Sequence, residues 1–297
     1  MNKLKKLLYS QKVAPYIFIF PFVLTVLLFW LFPIGNGILL SFQDVLKDQW
    51  VGLKNYERLL TDKIFYKAVW NSIKYMIGTL VLLIPFPLLF ASLLNSKLMK
   101  AQGFFKSCLF IPALTSVVVV GTIFRLMFGE MDTALANQII GFLGHSPIKW
   151  LKGEWTSYFA LLVVACWRWT GVNILYFLAG LQSIPTELYE AASIDGASKW
   201  QQFTRISVPL VKPTTIYVLT ISIYAGLSMF LESYMLWKGN NSPQNIGLTI
   251  VGYLYRQGIE KRAMGYACAV GLVLLIVVMI INIIQLTATG TFKKEER

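Results

Sequence analysis

Six stretches of this chain, at approximately 14–33, 72–94, 108–128, 158–181, 213–237 and 264–289, are apolar over about the 20 residues a helix needs to cross a bilayer. Hydrocarbon holds no water to satisfy peptide groups, so such stretches must close their hydrogen bonds internally, as helices. Composition agrees. Of 297 residues, 56% are hydrophobic and 14% charged, with a mean hydropathy of +0.61. An ordinary soluble domain carries about 25% charged residues. The expected fold class is an all-α membrane protein with six transmembrane helices, formed as one domain over 1–297. The first span follows Lys3, Lys5, Lys6 and Lys12 and resembles a signal peptide. Its apolar run is too long and no small-residue cleavage site follows, so an uncleaved helix is expected. Prolines 15, 21, 33, 85, 87 and 112 fall in or beside the spans, which a bundle tolerates where neighbours satisfy the freed carbonyls.

The remaining counts exclude several chemistries. The net charge of +13 is spread in short clusters at span ends, which suits anionic lipid headgroups and argues against nucleic acid. Cys108, Cys166 and Cys268 are far apart within apolar spans and suggest neither disulfides nor a metal cluster. A lone histidine, His145, removes His-pair catalysis and His/Cys metal sites. No Gly-x-x-x-x-Gly-Lys-Ser/Thr sequence is present, so the chain cannot cradle nucleotide phosphates itself. The segment 34–71 is long enough for one or two short surface helices, and no soluble domain or internal repeat is evident.

One polar segment, 182–212, stands between the fourth and fifth spans and needs a reason to be there. Pro185 or Thr186 can open a helix with Glu187 and Glu190 in its first turns, where negative charge is favoured. Ala191 and Ala192 give it a face with little bulk. Gly196, following Asp195, is a left-handed stop. Ser198 can begin a second helix that carries Trp200, Phe203 and Ile206 toward the membrane, with Pro209 and Pro213 ending it. A helix-turn-helix of this kind suits docking to a soluble partner; the bland alternative is a surface loop with two amphipathic turns.

Glu190, Ala191, Ala192, Gly196, Ile206, Val208 and Pro209 match, without a gap, the EAA motif of ABC importer permeases, with Val208 where the family more often has Leu. The similarity extends over nearly the whole chain. Ser41-Phe42-Gln43-Asp44, Val51-Gly52-Leu53-Lys54-Asn55-Tyr56, Ser183-Ile184-Pro185-Thr186-Glu187-Leu188-Tyr189 and Phe230-Leu231-Glu232-Ser233-Tyr234-Met235-Leu236 resemble its carbohydrate-uptake, maltose-type branch. The resemblance implies the type I importer permease fold with both termini cytoplasmic. It implies a heterodimer with a second homologous permease subunit, two cytoplasmic ABC ATPase subunits that consume the ATP, and an extracellular solute-binding protein. The chain would be no enzyme, would bind no cofactor itself, and would work by alternating access in a bacterial cell membrane. An oligosaccharide, with a lean toward arabino-oligosaccharides, is the expected solute; glycerol-3-phosphate or another non-sugar is the alternative. The distribution of Lys and Arg among the loops favours this orientation only slightly, through Lys97, Lys100 and Lys106 and the shorter inner loops. Glu187, Glu190, Ala191, Ala192, Asp195, Gly196, Ile206 and Pro209 would then couple to the ATPase.

Within the spans, Arg125, Arg168 and Glu232 are costly in lipid and should face the bundle interior, a partner or a wet path. Sugars are held by aromatic faces and by groups that pair with hydroxyls. Trp167-Arg168-Trp169 has that chemistry, although tryptophans near a span also serve as packing or boundary anchors. Aligned with the maltose-type branch, the pathway would include Arg168, Trp169, Val172, Leu227, Phe230 and Leu231. Asn173 and Glu232 join them on chemistry alone, and Arg168 could instead pair with Glu232. An ion-driven secondary transporter would favour mid-membrane acids and repeats, for which only Glu232 qualifies. A membrane enzyme would need clustered acids, a Ser/His set or metal ligands, which the sequence lacks.

Overall fold

A computed structural model describes residues 10–96, 99 and 101–291. Lys3, Lys5, Lys6, Lys97 and Lys100, which entered the charge reading, lie outside the described residues. The chain forms two compact units, one comprising the segment up to Asp62 with Leu254–Val273, the other Lys63–Tyr253 with the chain from Leu274 onward.

In the first unit, α1 (Ala14–Ser41) runs eight residues past the expected span end. Its apolar side chains point outward all round, with Phe18, Phe22, Phe29 and Phe32 exposed, as befits a helix whose cover is not its own chain. A hairpin follows: β1 (Gln43–Asp44) pairs antiparallel with β2 (Gln49–Trp50), and Phe42 stacks on Trp50 at 5.6 Å. The Asn55 amide, at the start of α2 (Lys54–Thr61), donates to the carbonyls of Ser41 and Gln43 at 2.8 and 3.1 Å. The Arg58 guanidinium lies 4.1 Å over the Tyr266 ring, whose hydroxyl donates to Asp62 at 3.2 Å. The segment expected to hold short helices therefore holds one helix and a small hairpin.

The second unit begins with α3 (Lys63–Leu83) and α4 (Pro85–Leu94), which together make one 32-residue span with a jog at Ile84. Then come α5 (Gln102–Leu114), α6 (Val117–Met127), α7 (Leu135–Phe142) and α8 (Glu154–Gln182). They are followed by α9 (Thr186–Ile194), α10 (Lys199–Leu210), α11 (Lys212–Leu227) and α12 (Leu231–Leu236). After α13 (Ile250–Tyr255), the last described helix, α14 (Met264–Ala288), belongs to the first unit up to Val273 and to the second from Leu274. Four helical segments are long and apolar enough to cross a membrane alone; counting each of two bent pairs as one crossing gives up to six.

The bent pairs depart from the simple expectation. The expected span 108–128 is no single rod: α5 and α6 meet at 92° across Thr115 and Ser116, both extended. The expected span 213–237 stops at Leu227, and after three non-helical residues a separate short helix, α12, follows. Hydropathy sums residues without regard to angle, so neither break was visible to it.

α8 is the mast of the second unit. Ala160, Leu161, Val164 and Ala165 join Phe124, Phe128, Trp150 and Leu236 in one core cluster. Two turns on, Ile174, Phe177, Leu178 and Leu181 join Leu88 and Val218 in another. The helix crosses α5 at Gly171, where any side chain would run into the Leu109 carbonyl. Next to it, the buried Asn173 Nδ2 donates to the Leu83 carbonyl at 2.7 Å. Four residues after Leu83 stands Pro87, which has no N–H to give that carbonyl. Asn173 thus supplies a donor that the proline withholds.

Asn173→Leu should leave that buried carbonyl bare and cost about 1–3 kcal/mol. Adding Pro87→Ala, which restores a backbone N–H, should recover part of the loss. Thermal unfolding of the single and double variants in detergent checks this; equal melting points for the two would refute the pairing.

Candidate functional site: a polar helical hairpin and an intramembrane cluster

The segment 182–212 folds as a locked helical hairpin. Pro185, with extended backbone, is the N-cap of α9, and Glu187 occupies the first turn. At the other end Gly196 takes φ +79, open only cheaply to glycine. Its N–H donates to the Ser193 carbonyl at 3.2 Å and the Ala197 N–H to the Ala192 carbonyl at 2.9 Å, the paired bonds of a Schellman stop. One residue later a capping box starts α10: Ser198 Oγ accepts from the Gln201 N–H at 3.3 Å, and Gln201 Oε1 accepts from the Ser198 N–H at 2.7 Å.

Side chains then rivet the two helices together. Gln202 Nε2, buried, donates to Ser193 Oγ at 2.8 Å and to the Ala197 carbonyl at 3.3 Å. The Tyr189 and Ser207 hydroxyls share a hydrogen bond of 2.8 Å. Tyr189, Phe203 and Ile206 pack under the hairpin against the cluster of Phe177, Leu181 and Ile184, so the hairpin is seated on the end of α8. Pro209 does not end α10 as expected. The helix widens to a π turn over Phe203–Ser207, closed by the Val208 N–H on the Phe203 carbonyl, and then runs through Pro209 to Leu210. Pro213 opens α11, set 66° from α10.

The outer side of the hairpin is left open. Glu187, Glu190, Ala191, Asp195 and Gly196 are exposed and Ala192 is half-buried. None of the three carboxylates makes an ion pair among the described residues. Two apolar side chains that the motif did not single out are exposed with them, Leu188 at 44% and Ile194 at 87%. Their only sequence signal was an apolar residue on a polar helix. Between the hairpin and α4 lies a cleft of about 1040 Å³, lined among others by Phe86, Phe90, Tyr189, Glu190 and Trp200.

The second cluster lies in the spans. Arg168 stacks on its neighbour Trp169, with 5.3 Å from guanidinium carbon to ring centroid. Its Nε and Nη1 are buried without an acceptor among the described residues. Trp169 is 37% and Trp167 41% exposed, and Trp167 also meets Phe124 edge-on at 5.4 Å. Glu232, in the first turn of α12, is half-buried, and the expected alternative of an Arg168–Glu232 ion pair is not formed. α12 packs on α6 and α8, bringing Glu232 to the same region of the bundle as Arg168.

The other expected residues divide. Phe230 lies at the break before α12, its ring 5.1 Å from Tyr234, and Leu231 is exposed. Val172 is half-buried. Leu227 is fully buried against Met76 and Ile223, and Asn173 is bound to Leu83; neither faces open space in this conformation.

Comparison with known proteins places this geometry. Residues 12–287 match the family described as "Binding-protein-dependent transport system inner membrane component". An arabinooligosaccharides transport system permease protein of Bacillus subtilis is 55% identical over 98% of this chain and 93% of its own length. Its counterpart in Halalkalibacterium halodurans is 50% identical over 97% and 91%. A lactose transport system permease protein of Rhizobium radiobacter is 30% identical over 93% and 94%. A chain in the crystal structure of a bacterial alginate ABC transporter, in complex with an alginate pentasaccharide-bound periplasmic protein, superposes with a TM-score of 0.83 at 22% identity. It covers 95% of each chain and shows the ABC importer permease fold. This chain belongs to the family of binding-protein-dependent transport system inner membrane components, as a multi-pass membrane permease.

Proposed function

We propose that this chain is one of two permease subunits of an ATP-driven importer for oligosaccharides of the arabinose type. The observation that carries the coupling half of this reading is the hairpin. It is polar, riveted by side chains, seated on α8 and open on its outer side with three carboxylates that form no ion pair among the described residues. A lipid-embedded chain that builds such an object presents it to a soluble partner. On this reading the partner is a cytoplasmic ATPase, and the hairpin and both termini lie on its side of the membrane. The ATPase receives Glu187, Glu190, Asp195 and the apolar Leu188 and Ile194. Closure of the ATPase pair on ATP pushes the hairpin. Because Tyr189, Phe203 and Ile206 are packed into the α8 core, the push moves spans rather than a loop. The pathway between this subunit and a second, homologous permease then opens to the other side, where a solute-binding protein delivers the sugar.

The names of the relatives support the solute class, and the span cluster suits it. Trp169 offers a ring face to sugar C–H surfaces and Arg168 two unserved donors to hydroxyls. Glu232 offers an acceptor, while Val172, Phe230 and Leu231 complete an amphipathic wall. Asn173 and Leu227 hold this wall in place from behind. The unserved guanidinium also suits a phosphorylated solute, so the solute is decided by the binding protein: isolated alongside this chain, it should bind arabino-oligosaccharides and not glycerol-3-phosphate in calorimetry. Mass spectrometry of gently solubilised membranes should find a second permease and an ATPase co-purifying with this chain. Purification alone, even after cross-linking at Glu190, would overturn the importer reading.

Two substitutions separate the two halves of the site. Glu190→Lys reverses a charge on the docking face and should lower solute-stimulated ATPase and uptake at least about tenfold while leaving membrane insertion intact. Unaltered stimulation would remove the hairpin from coupling. Trp169→Ala deletes about 1.5–3 kcal/mol of apolar contact and should raise the half-saturating solute concentration about ten- to a hundredfold, with basal ATPase preserved. Unchanged uptake kinetics would take Trp169 off the pathway.

A further inference from the structure

The connection between α6 and α8 carries a short helix, α7, that one side chain fixes in place. Asn137, only 3% exposed, sets Nδ2 at 3.2 Å from the carbonyls of Gly129, Met131 and Ile148. Its Oδ1 accepts from the Ile148 N–H at 3.0 Å and from the Trp150 indole N–H at 2.8 Å. Ala136 and Ile140, on the adjacent face, pack into the core around Phe128 and Trp150. Ser157 Oγ in turn donates to the Trp150 carbonyl at 3.2 Å. The helix is therefore fastened at the level of the first turn of α8.

That level has the marks of a membrane–water boundary. Glu154 opens α8 and takes Lys74 at 2.6 Å and Lys67 at 3.4 Å. Beside it Trp155 is 75% exposed, with the Lys74 ammonium 5.9 Å from its ring. Exposed tryptophan among charges at the end of an apolar helix is the composition of the headgroup belt.

On its free face α7 shows an uncharged stripe. Leu135, Ile139, Phe142 and Leu143 stand at helical spacing and are all exposed, Phe142 at 94%. Gln138 flanks them. The exposed apolar face of α6, with Val119, Ile123 and Leu126 at the same kind of spacing, leads into this stripe through Met131. Glu130 and Lys152 nearby satisfy each other at 2.9 Å, and the exposed Asp132 and Lys149 are of opposite sign, so the region offers no net charge by which a soluble protein would be steered. The apolar stripe, the boundary level and the continuity with the exposed apolar face of α6 all favour lipid.

We propose that α7 is an interfacial helix. It lies in the plane of the membrane, with Leu135, Ile139, Phe142 and Leu143 sunk into the boundary between headgroups and acyl chains. It does so at the end of the bundle opposite the coupling hairpin, one 29-residue helix away. Its helix geometry and Asn137 bonds tie the α6–α8 connection to the bilayer surface, so that α8 pivots against a fixed point when its other end is pushed.

The test uses the full chain with whatever co-purifies, in lipid nanodiscs, after Cys108, Cys166 and Cys268 are replaced by alanine. A bimane fluorophore is placed at Phe142→Cys and, as the control, at Gln138→Cys; both positions are exposed, so neither change disturbs the core. The fluorophore at 142 should lose most of its emission to phospholipid carrying a nitroxide near the headgroup and little to aqueous iodide. At 138 iodide should quench the more strongly. Strong iodide quenching at 142 would overturn the proposal. So would an emission shift at 142 appearing only when the solute-binding protein is added, which would make the stripe a protein-docking face. Both readouts are independent of solute identity and of ATPase coupling, so they stand or fall separately from the importer reading.

Discussion

A carbonyl that has lost its N–H partner inside a bilayer has no water to turn to, and this chain places several prolines in its helices. The fold meets these prolines in two ways. At Pro87 the replacement comes from another helix, through the amide of Asn173. At Pro33 and Pro209 the backbone itself adjusts. In both places a π turn, Leu27–Leu31 and Phe203–Ser207, closes on the residue immediately before the proline. The proline offers no N–H with which to continue the ladder, and the widened turn absorbs the mismatch. The helices can therefore pass through prolines that would otherwise stop them, and α10 reaches the membrane with its hairpin attached.

That continuity bears on the proposed coupling: if the hairpin docks an ATPase, a loop that merely touched it would flex and lose the stroke. Here each end of the turn is fixed by backbone capping, and its two helices are joined by Gln202–Ser193 and Tyr189–Ser207. The apolar underside is keyed into the same cluster that α8 builds with Phe177 and Leu181. Packed interiors transmit displacement because they are dense and have few alternative arrangements. The break at Ser228–Phe230, by contrast, leaves α12 as a separate short element carrying Glu232, joined to α11 by three non-helical residues.

The hairpin was the most legible part of the chain. Its stop, start and exposed acidic residues are local devices: a positive-φ glycine, a Ser-x-x-Gln box, carboxylates at a helix start. Local devices can be read from spacing. Pro209 was misread as a terminator because the helix passes it by winding the five residues Phe203–Ser207 as a π turn, which no spacing rule announces. The polar residues of the spans were harder. Asn173 and Arg168 both read as pathway side chains, yet one is bound to a carbonyl 90 positions earlier in the chain and the other has two donors unserved. No spacing rule within α8 distinguishes them, because the difference lies in which neighbouring helix stands opposite. Leu188 and Ile194 were passed over because apolar residues on a helix are ordinarily turned inward.

The sequence by itself determined that the chain is helical and membrane-embedded, and where its polar hairpin turns. Each of these follows from composition or from interactions spanning a few residues. Only the tertiary structure decided that two of the apolar stretches are broken, by a 92° bend and by a non-helical gap. Only there did Asn173 prove to be a brace and Arg168 an unserved donor, and only there was the stripe of α7 left uncovered. Those facts depend on contacts between residues distant in the chain, and on the direction in which each helix leaves its predecessor. A one-dimensional pattern of hydropathy carries neither.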